Sequence, residues 1–156
     1  MDVVDDYIDE ELFTAFHETM PQVCVEVVLV HDGGVLVARR ANEPVKDEWF
    51  WPGSRLYKGE RLEAAARRVA RDELGVDVSV AETLGVEEHF WDRSALGEDV
   101  SRHTVNVVFR VRPTDVEPSI SLDDQHTDYE FVVEPDERHH EMVHRYFDAY
   151  DLPGTR

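Results

Sequence analysis

The stretch GSRLYKGERLEAAARRVARDELGV, Gly53 to Val76, decides how this sequence is read. It opens as a Gly/Ser loop. It continues with Leu62, Ala65, Ala66, Val69 and Ala70 at spacings of three and four, and ends on Gly75, where a helix cap belongs. The spacing predicts a helix over Arg61–Leu74. Glu60 stands at its entrance, and Asp72 and Glu73 lie near its exit, with Arg67, Arg68 and Arg71 interleaved. Carboxylates gathered at a loop, a helix and a loop are hard oxygen donors suited to Mg²⁺ or Mn²⁺, which typically bridge protein acids and substrate phosphates. The same charges also describe a solvated helix face laced with ion pairs. Spacing alone leaves both readings open.

Outward from this stretch the pattern is mixed. Asp5 to Met20 carries Tyr7, Ile8, Leu12, Phe13 and Phe16 among acids and reads as an amphipathic helix ended by Pro21. Val23–Val30 and Val35–Ala38 flank His31-Asp32-Gly33-Gly34 and read as a hairpin. Trp49 to Gly53 is an aromatic strand end meeting a turn. Val76–His89, His103–Val111 and Tyr129–Val133 read as strands. Asp92–Arg102 is a polar loop, and Pro113–Asp128 a long acidic connection. Asp136–Tyr150 is a last helix with Met142, Val143, Tyr146 and Phe147 on its apolar side, and Pro153-Gly154-Thr155-Arg156 forms a loose tail. Strands mixed with three helices give an α/β or α+β domain, taken here as one domain over 1–156.

The 156 residues carry 35 acids against 16 bases, a formal net charge of -19. Such a surface repels phosphate backbones, so nucleic-acid binding is not expected. No apolar run reaches the roughly 20 residues that span a bilayer, and the start Met1-Asp2 lacks the form of a secretory signal. The lone Cys24 allows no internal disulfide, and a cytoplasmic setting is expected. Cys24 reads as a small core residue. Only Lys46 and Lys58 are lysines, and the other bases are arginines. Dense acidity with almost no lysine suggests a protein adapted to a high-salt cytoplasm, where salt screens the repulsion.

The Gly53–Val76 stretch resembles the box of the Nudix hydrolase superfamily, whose pattern runs glycine-x5-glutamate-x7-arginine-glutamate-aliphatic-x-glutamate-glutamate-x-glycine-aliphatic. Ser54, Glu60, Arg68, Val69, Ala70, Asp72, Glu73, Gly75 and Val76 fall in register. Ser54 departs from the glycine, and Val69 from a glutamate that binds metal in typical members. One subfamily shares that second departure, the GDP-mannose mannosyl hydrolases. It is also similar at Arg40-Ala41-Asn42, Trp49 to Arg55, Leu62 to Ala65, Glu73-Leu74-Gly75, Gly85-Val86, His89-Phe90, Asp124-Gln125-His126 and Asp128-Tyr129.

The resemblance implies a Nudix-fold α/β/α sandwich with a mixed sheet and the loop-helix-loop box. It implies Mg²⁺, or Mn²⁺, held by the Gly53 carbonyl, Glu73 and Gln125, with His126 as general base. Arg40 and Arg55 would hold the diphosphate. Glu26 and His89 would contact the sugar and leaving group, and Arg68 is placed with the substrate set, where it usually orients a box carboxylate. The implied reaction is hydrolysis of a nucleotide sugar to nucleoside diphosphate and free sugar, by water attack on the anomeric carbon with inversion, in a homodimer. Thr104 departs from a family tyrosine and Glu26 from a family aspartate, which leaves the sugar nucleotide open. Two alternatives are a standard pyrophosphohydrolase cutting P–O–P and a silent nucleotide-binding domain. His140-Glu141-Met142-Val143-His144 matches H-E-x-x-H. No third ligand follows, and it reads as an exposed helix face.

Overall fold

The computed structural model describes residues 1–153, so Gly154–Arg156 of the expected tail lie outside the described residues. The elements run α1 (Glu10–Thr19), β1 (Gln22–His31), β2 (Gly34–Arg40), β3 (Trp49–Phe50), β4 (Gly53–Arg55), α2 (Leu62–Leu74), β5 (Val78–Trp91), β6 (Arg102–Pro113), β7 (His126–Val132) and α3 (Glu141–Tyr150). The sheet order is β3-β2-β1-β6-β5, with β4 also on β1 and β7 on β2. β1 and β6 are parallel and the other pairs antiparallel, so the sheet is mixed.

Strand β1 is central, and its sequence explains the layers. Side chains alternate across a strand, and apolar residues on both faces mark a strand covered on both sides. Val25, Val27 and Leu29 pack with Ala65, Ala66, Val69, Ala70 and Leu74 of α2. Val28 and Val30 pack on the other face with Val143, Tyr146 and Phe147 of α3. The result is the expected α/β/α sandwich. Among the described residues no helix is long and apolar enough to cross a membrane.

The hairpin turns on Asp32 (φ 49°) and Gly33 (φ 76°), both left-handed, as a two-residue turn matching strand twist requires. Three boundaries differ from the sequence expectation by three residues or more. Helix α1 starts at Glu10 rather than Asp5, because Asp9 caps it by accepting from the Leu12 amide at 2.9 Å. Ahead of the cap, Val4 pairs with Lys58 of the box loop. Strand β7 starts at His126, not Tyr129, and pairs His126 with Arg40 across a bulge. Helix α3 starts at Glu141, not Asp136. The Asp136 carboxylate accepts from the Arg138 amide and guanidinium, a local turn that competes with helix. His140 is thus the N-cap, its Nδ1 accepting from the Met142 amide. The Nε2 of His144 lies 2.9 Å from the Asp136 carbonyl. The two histidines of the H-E-x-x-H match therefore do not share a helix face.

Candidate active site

The C-terminus of α2 assembles the site. Gly75 ends the helix in the left-handed conformation (φ 67°), and the Val76 amide reaches back to the Ala70 carbonyl. The last carbonyls of a helix lack partners within it. Here the Ser121 amide takes the Leu74 carbonyl (2.8 Å) and the Asp123 amide takes the Glu73 carbonyl (3.2 Å). A Cβ on Gly75 would lie 2.9 Å from that of Ser121, so glycine also makes room for the approaching loop. The loop is thereby spliced onto the helix end and carries Asp123, Gln125 and His126 to Glu73. On its far side the Ala41 amide donates to the Gln125 carbonyl at 2.8 Å, next to Arg40.

The product is a group of buried Glu73, half-buried Asp123 and buried His126 whose ligand atoms lie within 4.8 Å of one another. Both carboxylate oxygens of Glu73 are buried without a hydrogen-bond partner. Burial first, and then the Asp123 charge, push the Glu73 carboxyl well above the usual range, against the pull of Arg40 and Arg68. His126 Nδ1 is 2.8 Å from Asp123 Oδ1, while Nε2 lies 4.0 Å from Glu73 Oε1. Desolvation lowers the His126 pKa, more than the Asp123 hydrogen bond raises it. A neutral ring donating from Nδ1 to Asp123 turns the lone pair of Nε2 toward an orphaned carboxylate. Two electron-rich atoms so placed call for a proton or a cation between them, so this donor set fits a divalent metal. Gln125, expected as a metal ligand, is exposed at the cavity wall and donates to Asp123 Oδ2 at 3.4 Å.

The box itself is held by Arg68. Its Nε and Nη2 fork onto the two oxygens of Glu60 (2.7 and 3.0 Å), Nη1 reaches Ser54 Oγ (3.2 Å), and Nη2 also takes the Arg55 carbonyl (2.8 Å). Arg68 thus orients the box acid Glu60 and does not line the substrate cavity. Asp72 is exposed and reaches Arg68 at 4.0 Å. Val69 is fully buried in the core beneath α2, so the departure from the box pattern adds apolar packing there. Tyr57 lies between two guanidiniums, with Arg68 Cζ 3.8 Å and Arg55 Cζ 4.5 Å from its ring centre.

Beside the metal group opens a cavity of about 380 Å³ lined by Arg40, Arg55, Gly53, Glu26, His89 and Gln125, among others. Its floor is the first half of β1. Cys24 pairs with Arg55 of β4, and Glu26 pairs with Gly53. A Cβ on Gly53 would lie 2.8 Å from Glu26 Cγ, so only glycine lets β4 approach there. Glu26 is buried and accepts from the Tyr146 hydroxyl at 2.6 Å, with His89 Nε2 at 3.1 Å. His89 Nδ1 is buried without a partner. Phe13 of α1 borders the same cavity. Thr104 and Asn106 form the β6 wall, joined at 2.9 Å.

Glu26 and His89 thus come together, as do Glu73 and His126, and Arg40 lines the cavity of the first pair while being the strand partner of His126. Sequence reasoning missed Asp123, Tyr57 and Tyr146. Asp123 sits three residues before His126 in an acidic run, and nothing in the pattern separates it from its neighbours. Tyr146 reads as an ordinary apolar-face residue of α3, and only its hydroxyl reaches the site.

A NUDIX domain family model matches residues 20–152. The chain is 40% identical over 144 residues to the low-salt glycan biosynthesis protein Agl8 of Haloferax volcanii, covering 92% of this chain and 91% of that protein. It is 30% identical over 89 residues to an ADP-ribose pyrophosphatase of Methanocaldococcus jannaschii, covering 57% of this chain and 49% of that one. Among solved structures, a MutT protein from Methanosarcina mazei superposes with a TM-score of 0.70 at 17% identity, over 87% of this chain and 97% of that one. A MutT NUDIX hydrolase from Burkholderia pseudomallei superposes with a TM-score of 0.62 at 25% identity, over 86% and 98%. The matched length, the spliced box helix and the metal-ready acid at its end agree, and the chain belongs to the Nudix hydrolases.

Proposed function

We propose that this protein hydrolyses a nucleoside-diphosphate sugar, GDP-mannose or a relative, to nucleoside diphosphate and free sugar. The two-sided cavity carries this reading. Position 24 of β1 lies against Arg55, whereas position 26 supplies Glu26 to a cluster with His89 and Tyr146. Same-face positions of a strand are about 6.6 Å apart. A ligand with a diphosphate beside a neutral polyol fits that alternation, with phosphates toward the arginines and hydroxyls toward the acid cluster. The name of the Haloferax relative concerns glycan biosynthesis, and a sugar nucleotide suits that setting.

In this reading Glu73, with the Gly53 carbonyl and Gln125, would hold Mg²⁺ or Mn²⁺, which would supply charge neutralisation at the diphosphate. Arg40 and Arg55 bind that group and offset its charge as it departs. Water oxygen bonds to the anomeric carbon, the bond from that carbon to the phosphate oxygen breaks, and its electron pair leaves on the diphosphate. The water proton passes to His126 Nε2, the ring being oriented by Asp123 at Nδ1. Attack opposite the leaving group inverts the anomeric configuration. Phe13 is placed to stack on the base. The acidic, lysine-poor composition and the Haloferax relative support a high-salt cytoplasm, and the resemblance supports a homodimer. Recovery of fold in molar KCl after unfolding in low salt tests the first, and sedimentation the second.

A second reading has its own observation. If His126 joins Glu73 and Asp123 as a metal ligand, as their mutual reach allows, it is not free as a base. The site then resembles that of a metal-dependent pyrophosphohydrolase, the activity that names the Methanocaldococcus relative. Product analysis with GDP-mannose and Mg²⁺ in ¹⁸O-labelled water separates the two. Label on free mannose is the expected result. Label on GMP or mannose 1-phosphate overturns carbon attack in favour of phosphorus chemistry.

A further inference from the structure

We infer that Arg102 completes a three-guanidinium clamp with Arg40 and Arg55, and that this clamp selects a ligand with two adjoining phosphates over one with a single phosphate. The inference deepens the reading above and rests on it for the identity of the natural ligand. Arg102 opens β6 and lines the same cavity as Arg40 and Arg55. Its Nε donates to Gln22 Oε1 at 3.3 Å, and its Nη2 lies 3.7 Å from Cys24 Sγ. Cys24 is the strand partner of Arg55. The positive charges of Arg102 and Arg55 both act on the Cys24 thiol, and that of Arg102 acts on Arg40. The three cations therefore line one cavity, with Cys24 beside Arg102 and paired to Arg55.

Within the cavity none of the three has a carboxylate in direct contact. The chain carries 35 acids, and elsewhere Arg68, Arg110, Arg138 and Arg145 hold carboxylates at 2.6 to 2.9 Å. Among the described residues, Arg40, Arg55 and Arg102 form no ion pair within 4.0 Å. Their direct partners are neutral: the Pro44 carbonyl for Arg40, the Asp6 carbonyl and the Tyr57 ring for Arg55, and Gln22 and Cys24 for Arg102. Neutral acceptors fix a guanidinium in place without consuming its charge. Like charges gathered this way repel one another, and a ligand bearing several negative charges relieves that repulsion. Arginine forks suit phosphate oxygens in particular. Of the nearby acids, Glu26 is directed to Tyr146 and His89, while Glu73 and Asp123 act on Arg40 only from beyond ion-pair distance and are turned to His126.

The test is titration calorimetry of the full chain with inorganic pyrophosphate and, separately, orthophosphate, at the lowest KCl concentration that keeps it folded. Wild type should bind pyrophosphate more tightly than orthophosphate. Arg102→Gln should weaken pyrophosphate by at least about tenfold, as loss of a charge-assisted hydrogen bond predicts, and orthophosphate by less. Arg102→Lys, which keeps the charge without the fork, should fall between. Arg61→Gln removes one exposed charge outside the cavity and should bind as wild type does. Melting curves check that each variant folds, and the lysine variant serves if glutamine disrupts packing. Equal pyrophosphate affinity in wild type and Arg102→Gln, an equal loss for both anions, or no pyrophosphate binding by wild type overturns the clamp. Labelled-water analysis of the wild type fails or succeeds independently of this result, because carbon and phosphorus chemistry both use a diphosphate.

Discussion

Replacing Glu73 by glutamine should stabilise the protein in the absence of metal and abolish its stabilisation by metal. The Glu73 carboxyl is buried, has no hydrogen-bond partner and lies beside Asp123. Its pKa is raised in the folded state, so over the range where the unfolded chain releases the proton the native chain retains it, and stability falls as pH rises. If the carboxyl stays neutral on folding, the cost at pH 7 is at most about 4 kcal/mol, from an ordinary pKa near ~4.3 at ~1.36 kcal/mol per unit. At pH 5 the same sum gives about 1 kcal/mol. These are upper bounds, because Arg40 and Arg68 favour the ionised form. At roughly 2–4 °C per kcal/mol for a chain of this size, Glu73→Gln should melt up to about 15 °C higher at pH 7 in EDTA. The gain should shrink sharply at pH 5. With MnCl2 or MgCl2 at about 100 times its Kd, wild type should gain about 2.7 kcal/mol and the variant little. Scanning calorimetry in molar KCl at both pH values, with and without metal, measures all of this. A variant no more stable than wild type at pH 7, a gain unchanged at pH 5, or a retained metal shift refutes the reasoning.

His126→Gln should lower turnover of the sugar nucleotide by about 10²- to 10⁴-fold, the usual contribution of a general base. Calorimetry should show nucleoside diphosphate binding nearly intact, whereas unchanged turnover removes His126 from the reaction. Tyr57→Leu should raise KM several-fold with little change in kcat, because the ring that holds Arg55 is lost. A cation–π contact is worth about 0.5–2 kcal/mol, Tyr57→Phe should restore wild-type KM, and equal behaviour of the two variants would mean the ring does not position Arg55. Cys24 is buried and its thiol is pushed up to about 11, with burial the main cause. Iodoacetamide should therefore label it far more slowly at pH 8 than it labels the urea-unfolded chain. Stability should also decline above about pH 9, where the unfolded thiol ionises and the native one does not. Rapid labelling of the native chain would contradict that burial.

The strands and helices are legible because their evidence is local and repetitive, whereas their stacking into a sandwich follows from the family resemblance. β1 is a β-branched run apolar on both faces, α2 carries its alanines and Val69 at helical spacing, and Gly75 marks its end. The hairpin turn was legible for the same reason. The errors lie where one short side chain decides. Asp9 rather than Asp5 caps α1, and an Asp136–Arg138 turn delays α3 to Glu141. The candidate site divides in the same way. Glu73, His126, Arg40 and Arg55 stand in a pattern that sequence displays. Asp123, Tyr146 and Arg102 gain their roles only when separate elements meet, and no spacing along the chain encodes that meeting.

The bonds from Ser121 and Asp123 to the last carbonyls of α2 anchor the acidic connection at its downstream end, while β6 anchors it upstream through Pro113. Residues 114–117 between these moorings are exposed. Their length and even their continuity are therefore of little consequence to the reacting centre. Doubling such a span adds only about 0.6 kcal/mol of closure entropy. A protease nick there should leave two fragments that stay associated with the centre intact, which makes this segment the natural place to insert a tag or open new termini.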